Sequence, residues 1–345
     1  MIFVFALGAG LWGLGALMGV AQKSRMAMIA LLWLAVVAIN LILPVDHVLR
    51  QMTGGDARVW VVLGGVFVLI LGYRRLLKTL KIPGAVADAS AEAATFRSAE
   101  LDRYARHIML REIGGPGQKK LKNARVLVIG AGGLGSPALL YLAAAGVGTL
   151  GVIDDDVVDT SNLQRQIIHT DQRIDMPKVQ SAALAVKALN PFITVYPYNR
   201  RLIENMAADL IGDYDLVLDG SDNFDTRDLV NRVCVVTGKP LISGAITQWE
   251  GQLSLFDPAH GTPCYACVFP NRPAPGLVPS CAEAGVAAPL PGVIGAMMAM
   301  EAVKHITGAG QTLKGRLMIH DALFFETRVI GIQRRTDCRV CGASH

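Results

Sequence analysis

The sequence predicts an α/β domain whose mostly parallel sheet is flanked by helices and ends in an antiparallel part tied down by cysteines. An apolar region of about three helices precedes it. Three observations predict this. The run Arg125 to Asp154 reads as strand, glycine turn, helix and strand. Two Cys-x-x-Cys pairs sit late in the chain, and the hydrophobic residues are concentrated before residue 75. The first observation makes the sheet Rossmann-like, because a β-branched strand that empties into Gly-x-Gly-Gly-x-Gly and then a helix is the dinucleotide-binding pattern.

The chain has 345 residues, 52% of them hydrophobic, and a mean hydropathy of +0.40. Three apolar stretches, Met1 to Ala21, Met26 to Val45 and Val59 to Tyr73, are read as membrane spans. The third is short, since a hydrocarbon core is about 30 Å thick. The first lacks the basic start and cleavage site of a signal peptide. Lys23 and Arg25 lie in one short loop, and Arg74, Arg75, Lys78 and Lys81 follow the third stretch. This basic asymmetry places the remainder of the chain in the cytoplasm, on the inner membrane. Residues 1–82 are therefore taken as a membrane region, 83–97 as an Ala-rich linker, and 98–345 as the soluble domain. The net charge of +5 owes much to the juxtamembrane cluster, and no basic face interleaved with aromatics follows, so nucleic acid is excluded as a partner.

In the soluble domain Ser98 starts a helix through Ile113 that carries Arg103, Arg106 and Arg111, a pattern that composition alone reads as a solvated face. The strand Val126 to Ile129 follows, then the glycines and a helix from Pro137 to Ala145. Gly130 permits a tight turn, Gly132 lets backbone approach a phosphate beside Gly133, and Gly135 lets helix and strand pack closely. The strand Thr149 to Ile153 ends at Asp154, where an acidic group meets a nucleotide ribose. The polar run from Asp154 through Asn162 and Arg165 to Gln166 reads as a ligand-facing loop. Pro177 opens the next helix, and Lys178 in its first turn opposes the helix dipole unless an anion is bound there.

A further strand (Leu216 to Leu218) ends in Asp219-Gly-Ser-Asp222-Asn223, carboxylates suited to Mg²⁺ with substrate phosphates. The alternative for Asp222 is to cap the helix Asn223 to Val233. Leu241 to Ala245 and Gly251 to Phe256 read as strands, the second antiparallel because no helix separates the two. Cys264, Cys267, Cys338 and Cys341 offer Zn²⁺ four soft donors, which would staple the chain end onto the domain. Cys234 reads as a core residue, as do Met297, Met298 and Met300 of a helix from Gly292 to Ile306. Cys281, in a Pro- and Gly-containing loop, is either a nucleophile or a cysteine without a catalytic role.

From about Leu101 to Cys341 the chain resembles the MoeB/ThiF/HesA group, bacterial relatives of ubiquitin-activating enzymes. The resemblance rests on Arg103-Tyr-x-Arg106, the glycine loop, Asp154 with Ser-Asn-Leu-Gln-Arg-Gln at 161–166, Pro177-Lys178, Asp219-x-x-Asp222-Asn223, Cys281-x-Glu-Ala-Gly-Val and the two cysteine pairs. It implies adenylation, with Mg·ATP, of the C-terminal carboxylate of a ubiquitin-like sulfur carrier ending in Gly-Gly, in molybdopterin or thiamin type pathways. In that pattern Asp154 holds the ribose, Asn162, Arg165 and Lys178 handle the phosphates, and Asp222 positions Mg²⁺. Arg106 reaches the neighbouring subunit of a homodimer. No sulfurtransferase domain is expected after His345, so sulfur would come from a separate donor. The rival readings are a nicotinamide-dependent oxidoreductase, a tRNA-modifying dehydratase of the same superfamily, and a membrane-anchored binding module that has lost catalysis.

Overall fold

The computed structural model describes residues 2–18, 20, 22–44, 46–80, 96–272 and 285–342. The linker expected at residues 83–97 lies almost wholly outside them, and Cys281 lies outside them altogether. The chain forms two compact units, Met1–Ala91 and Glu92–His345.

The first unit is helical: α1 (Ile2–Leu17), α2 (Gln22–Ile42), the short α3 (Val48–Thr53) and α4 (Ala57–Leu80). Its polar contacts point inward. Trp33 Nε1 donates to the Trp60 carbonyl at 3.0 Å, Trp60 Nε1 to that of Thr53 at 2.9 Å, and Asn40 Nδ2 to Thr53 Oγ1 at 2.8 Å. Its apolar side chains point outward, with Leu31, Leu34, Leu41, Val62 and Leu69 all more than half exposed. Three spans were expected. Among the described residues only one helix, over Ser24–Ile42, is long and apolar enough to cross a bilayer. α1 has 16 residues and reaches only about 24 Å at ~1.5 Å per residue, short of a ~30 Å core. The length of α4 comes from a last part that carries Arg74, Arg75 and Lys78.

The second unit holds one sheet of eight strands in the order β3-β2-β1-β4-β5-β6-β7-β8. They are β1 (Arg125–Ile129), β2 (Thr149–Asp154), β3 (Thr194–Asn199), β4 (Leu216–Asp219), β5 (Leu241–Ile246), β6 (Glu250–Phe256), β7 (Arg316–Asp321) and β8 (Glu326–Gly331). The first five are mutually parallel and the last three antiparallel, as the missing helix between β5 and β6 predicts. α5 (Ser98–Ile108) and α6 (Gly114–Asn123) lead in. Val126 and Val128 of β1 face the core built with α7 (Gly135–Ala145), α8 (Lys178–Leu189) and α12 (Pro289–Thr307). Leu127 and Ile129 face that of α9 (Glu204–Gly212) and α10 (Phe224–Thr237). This alternation is what period-two side chains require of a sheet covered on both faces. A third, small core gathers Cys264, Cys267, Cys338 and Cys341 beside the short α11 (Tyr265–Val268).

The chain winds outward from β1 to β3, then crosses back to β4 and β5. The carboxyl ends of β1 and β4 therefore diverge into a crevice, the position at which open α/β sheets bind ligands. Met300 departs from the expected core and is 64% exposed, because it lies on the outer side of α12 while Met298 faces inward.

Candidate active site

Strand register brings Ile129, Ile153 and Asp219 side by side at the carboxyl edge of the sheet. Gly130 leaves β1 with φ +89°, a left-handed turn that suits glycine. A Cβ at Gly135 would stand 1.9 Å from the Gly130 carbonyl oxygen, so helix α7 can approach β1 only through a glycine. At Gly132 such an atom meets nothing closer than Gln166 Nε2 at 3.7 Å, which leaves that stretch of backbone open toward a ligand. The loop, Asp154, Asn162, Arg165, Lys178, Asp222 and Asn223 line one cavity of 950 Å³. The expected nucleotide residues are thus brought together, apart from Gly135, which acts behind the loop.

The loop is held from both sides at Ala131. The Ala131 amide donates to Asp154 Oδ2 at 2.7 Å, and its carbonyl accepts from His169 Nε2 at 2.9 Å. A carbonyl can only accept, so Nε2 carries the proton and Nδ1 accepts from Ser181 Oγ at 2.9 Å. Burial pushes the His169 imidazole below its ordinary value and favours this neutral form. Burial raises the Asp154 carboxyl above the usual range, against the pull of the Ala131 amide and the Lys178 ammonium.

Arg165 Nη2 at 3.3 Å and Gln166 Nε2 at 2.8 Å both donate to Asn162 Oδ1. Two donors on the oxygen fix the amide orientation and leave Asn162 Nδ2 free to donate to an anion. Lys178 opens α8 as expected, 5% exposed, with Nζ 2.7 Å from Asp156 Oδ2.

The alternative duty for Asp222, capping α10, is taken by Asn223, whose Oδ1 accepts from the Thr226 amide at 2.9 Å. That leaves Asp222 exposed in the cavity with no capping duty, while the Asn223 side chain is already committed. Asp219 is 1% exposed, accepts from Ser221 Oγ at 2.6 Å and sits 3.5 Å from Arg227 Nη1, so its carboxylate is not available to a cation. Buried Arg227 also donates to Ser243 Oγ at 3.0 Å and to the Gly244 carbonyl at 2.7 Å, joining the Asp219 loop to β5. Arg227, His169 and the positioning role of Gln166 escape sequence reasoning, since nothing in the pattern separates a buried Arg on a polar helix from a surface one. Arg106 is exposed at the end of α5 and does not line the cavity.

At the third core the Sγ–Sγ separations are 3.9 Å (Cys264–Cys267), 3.7 Å (Cys264–Cys338) and 3.4 Å (Cys267–Cys341). A tetrahedron with Zn–S of ~2.3 Å has edges of about 3.8 Å, so the four sulfurs fit Zn²⁺. Asn231 Nδ2 lies 3.8 Å from Cys264 Sγ and would orient that ligand. Burial raises the Cys264 and Cys267 thiols. It raises Cys338 too, but the Cys341 and Val340 amides outweigh it and bring that thiol down to about 7.

A model of the ThiF family matches residues 104–340. The chain is similar to the sulfur carrier protein adenylyltransferase of Thermus thermophilus, 49% identical over 247 residues covering 70% of this chain and 91% of the relative. Similarity to the SAMP-activating enzyme E1 of Haloferax volcanii is 47% over 243 residues, covering 70% and 89%. The adenylyltransferase and sulfurtransferase MOCS3 of Mus musculus is 45% identical over 253 residues, 73% of this chain but 55% of that longer protein. Among solved structures, E. coli MccB with ATP is alike in fold, with a TM-score of 0.60, 22% identity and coverage of 70% and 74%. PaaA is alike in fold at a TM-score of 0.60 and 20% identity, covering 86% and 94%.

Proposed function

The chain belongs to the ThiF family, and from that premise we propose that its cavity binds ATP and adenylates the C-terminal Gly-Gly carboxylate of a ubiquitin-like sulfur carrier. The carrying observation is the convergence of the glycine loop, Asp154, Asn162, Arg165, Lys178 and Asp222 on one cavity at the crossover between β1 and β4. A carboxylate oxygen of the carrier attacks the α-phosphorus, and the bond from that phosphorus to the bridging oxygen breaks. Pyrophosphate leaves with the electron pair, and an acyl-adenylate remains. Asp154 holds the ribose. Asn162 Nδ2, Arg165 and Lys178 offset the phosphate charge as it shifts toward pyrophosphate. Asp222, exposed beside them, is the carboxylate suited to Mg²⁺, which would supply charge neutralisation between phosphate oxygens.

ATP–pyrophosphate exchange tests this reading. Exchange that depends on a Gly-Gly carrier and falls at least ~100-fold in Asp222→Ala is expected; a wild-type protein that binds no ATP overturns the reading. A nicotinamide reading leaves Arg165, Lys178 and Asp222 without a task, and titration with NADH distinguishes it.

We further propose that Arg106 acts on the phosphates held by a second copy of the chain. Its exposure outside its own cavity supports this. The four cysteines would hold a structural Zn²⁺, which supplies folding energy and no chemistry. The helical unit is proposed to lie in the inner membrane with the catalytic unit on the cytoplasmic side. Its outward apolar side chains and inward polar contacts support this, since water disfavours so much exposed apolar surface.

A further inference from the structure

Lys178 is already occupied. Its ammonium, 7% exposed, sits 2.7 Å from the Asp156 carboxylate, which is 66% exposed. Asp156 holds the same residue twice, because its carbonyl also accepts from the Lys178 backbone amide at 2.9 Å. Asp156 is itself anchored, its amide donating to Asp154 Oδ1 at 2.9 Å. The Val157–Pro177 bridge and the bond from the Val158 amide to the Met176 carbonyl zip the two segments together beyond it. One residue therefore joins the proposed ribose carboxylate to the proposed phosphate lysine. Its backbone fixes both, and its side chain neutralises the charge that the phosphates need.

Resting on the nucleotide reading of this cavity, we propose that Asp156 is a specificity-determining positioning residue: a charge latch that surrenders Lys178 to the β- and γ-phosphates of ATP and reclaims it when pyrophosphate leaves. The Asp156 side chain is mostly in water, so it gives up the ammonium at modest cost. Lys178 is nearly buried, and cannot leave Asp156 without another anion to meet it. A triphosphate that extends past the glycine loop supplies that anion. A nucleoside monophosphate, whose single phosphate stays at the loop, does not. The latch thus penalises every ligand that uses Lys178 by the same amount, and it hastens the departure of pyrophosphate after transfer. The backbone bond from Lys178 to Asp156 persists in both states, so the change is confined to one side-chain contact.

The test is calorimetric binding of ATP, pyrophosphate and AMP to the full chain and to Asp156→Asn, Lys178→Ala and the double variant. Asp156→Asn keeps the size and the acceptor oxygen but removes the charge. It is expected to tighten ATP and pyrophosphate by about three- to tenfold, the range set by partly exposed ion pairs, and to leave AMP unchanged. In the Lys178→Ala background the same change should have no effect on any of the three ligands, as a double-variant cycle requires of a latch that works through that lysine. The melting temperature of unliganded Asp156→Asn should fall, because the nearly buried ammonium loses its counter-charge, and ATP should restore more of it than it does in the parent. Unchanged or weaker ATP binding in Asp156→Asn overturns the latch, as does a gain that persists without Lys178. Equal tightening of AMP overturns the assignment of Lys178 to the outer phosphates. Wild-type protein that binds none of the three overturns the nucleotide reading, and the latch with it.

Discussion

At the scale of single residues, the cavity is held by side chains that fix one another before any ligand arrives. Ala131 is clamped between Asp154 and His169, and Asn162 is turned by Arg165 and Gln166. Two outcomes follow. His169 is held below its ordinary value by burial, so the unfolded chain binds its proton more readily than the folded one. The stability it contributes is present above about pH 6.5 and lost as pH falls below that value toward the folded one. Melting temperature measured against pH should drop below about 6.5, and part of that slope should vanish in His169→Gln, whose amide can still meet the Ala131 carbonyl. His305, also lowered by burial, keeps the remainder. Gln166→Ala removes the closer of the two donors on Asn162 and is expected to raise the KM for ATP several-fold, by about 1 kcal/mol, with little change in melting temperature. Unaltered KM would show that Arg165 alone orients the amide.

At the scale of elements, close approach decides what is tolerated. Gly135→Ala puts a methyl 1.9 Å from the Gly130 carbonyl oxygen, a backbone atom that cannot step aside. A loss of about 1–3 kcal/mol or more in denaturant unfolding is expected, together with lost ATP binding, because α7 must retreat from the loop. A variant as stable as the parent would mean that helix and strand are free to part. The cysteine core joins the α11 segment to the chain end, which carries no strand or helix after β8 among the described residues. Replacing Cys264 and Cys341 by serine should abolish bound zinc and cost on the order of several kcal/mol. Full metal retention after both changes would remove the site.

At the scale of the whole molecule, the proposed dimer has a consequence that no single chain can mimic. Arg106→Ala and Asp222→Ala are each expected to be inactive in exchange. Mixed and allowed to swap subunits, they should regain activity, since one site of the mixed pair draws Asp222 from one chain and Arg106 from the other. Failure to complement would place the action of Arg106 within its own chain. The membrane proposal is checked by proteolysis of intact inner-membrane vesicles, where protection of the catalytic unit from outside protease in right-side-out vesicles and its digestion in inverted ones is expected.

Five of the eight strands were legible along the chain because their signals are local, whereas β3, β7 and β8, and with them the helix α9, were not. A β-branched run, a glycine turn and an apolar helix fall within one short window, so Arg125 to Asp154 identified the nucleotide edge, and four cysteines in two close pairs identified the third core. What only the tertiary structure decided is which partner each side chain meets and which way it faces, even between near neighbours in sequence. Asp219 is withdrawn from the site because Arg227 lies across from it, Asn223 rather than Asp222 caps α10, and Met300 faces out of the helix that buries Met298. Lys178 meets Asp156 only because two loops are zipped together. The shortness of α1 is likewise decided by where its helix stops rather than by its composition. A sequence states which groups are present; a buried charge acquires its role from the partner that folding sets against it, because burial makes an unpaired charge too costly to keep.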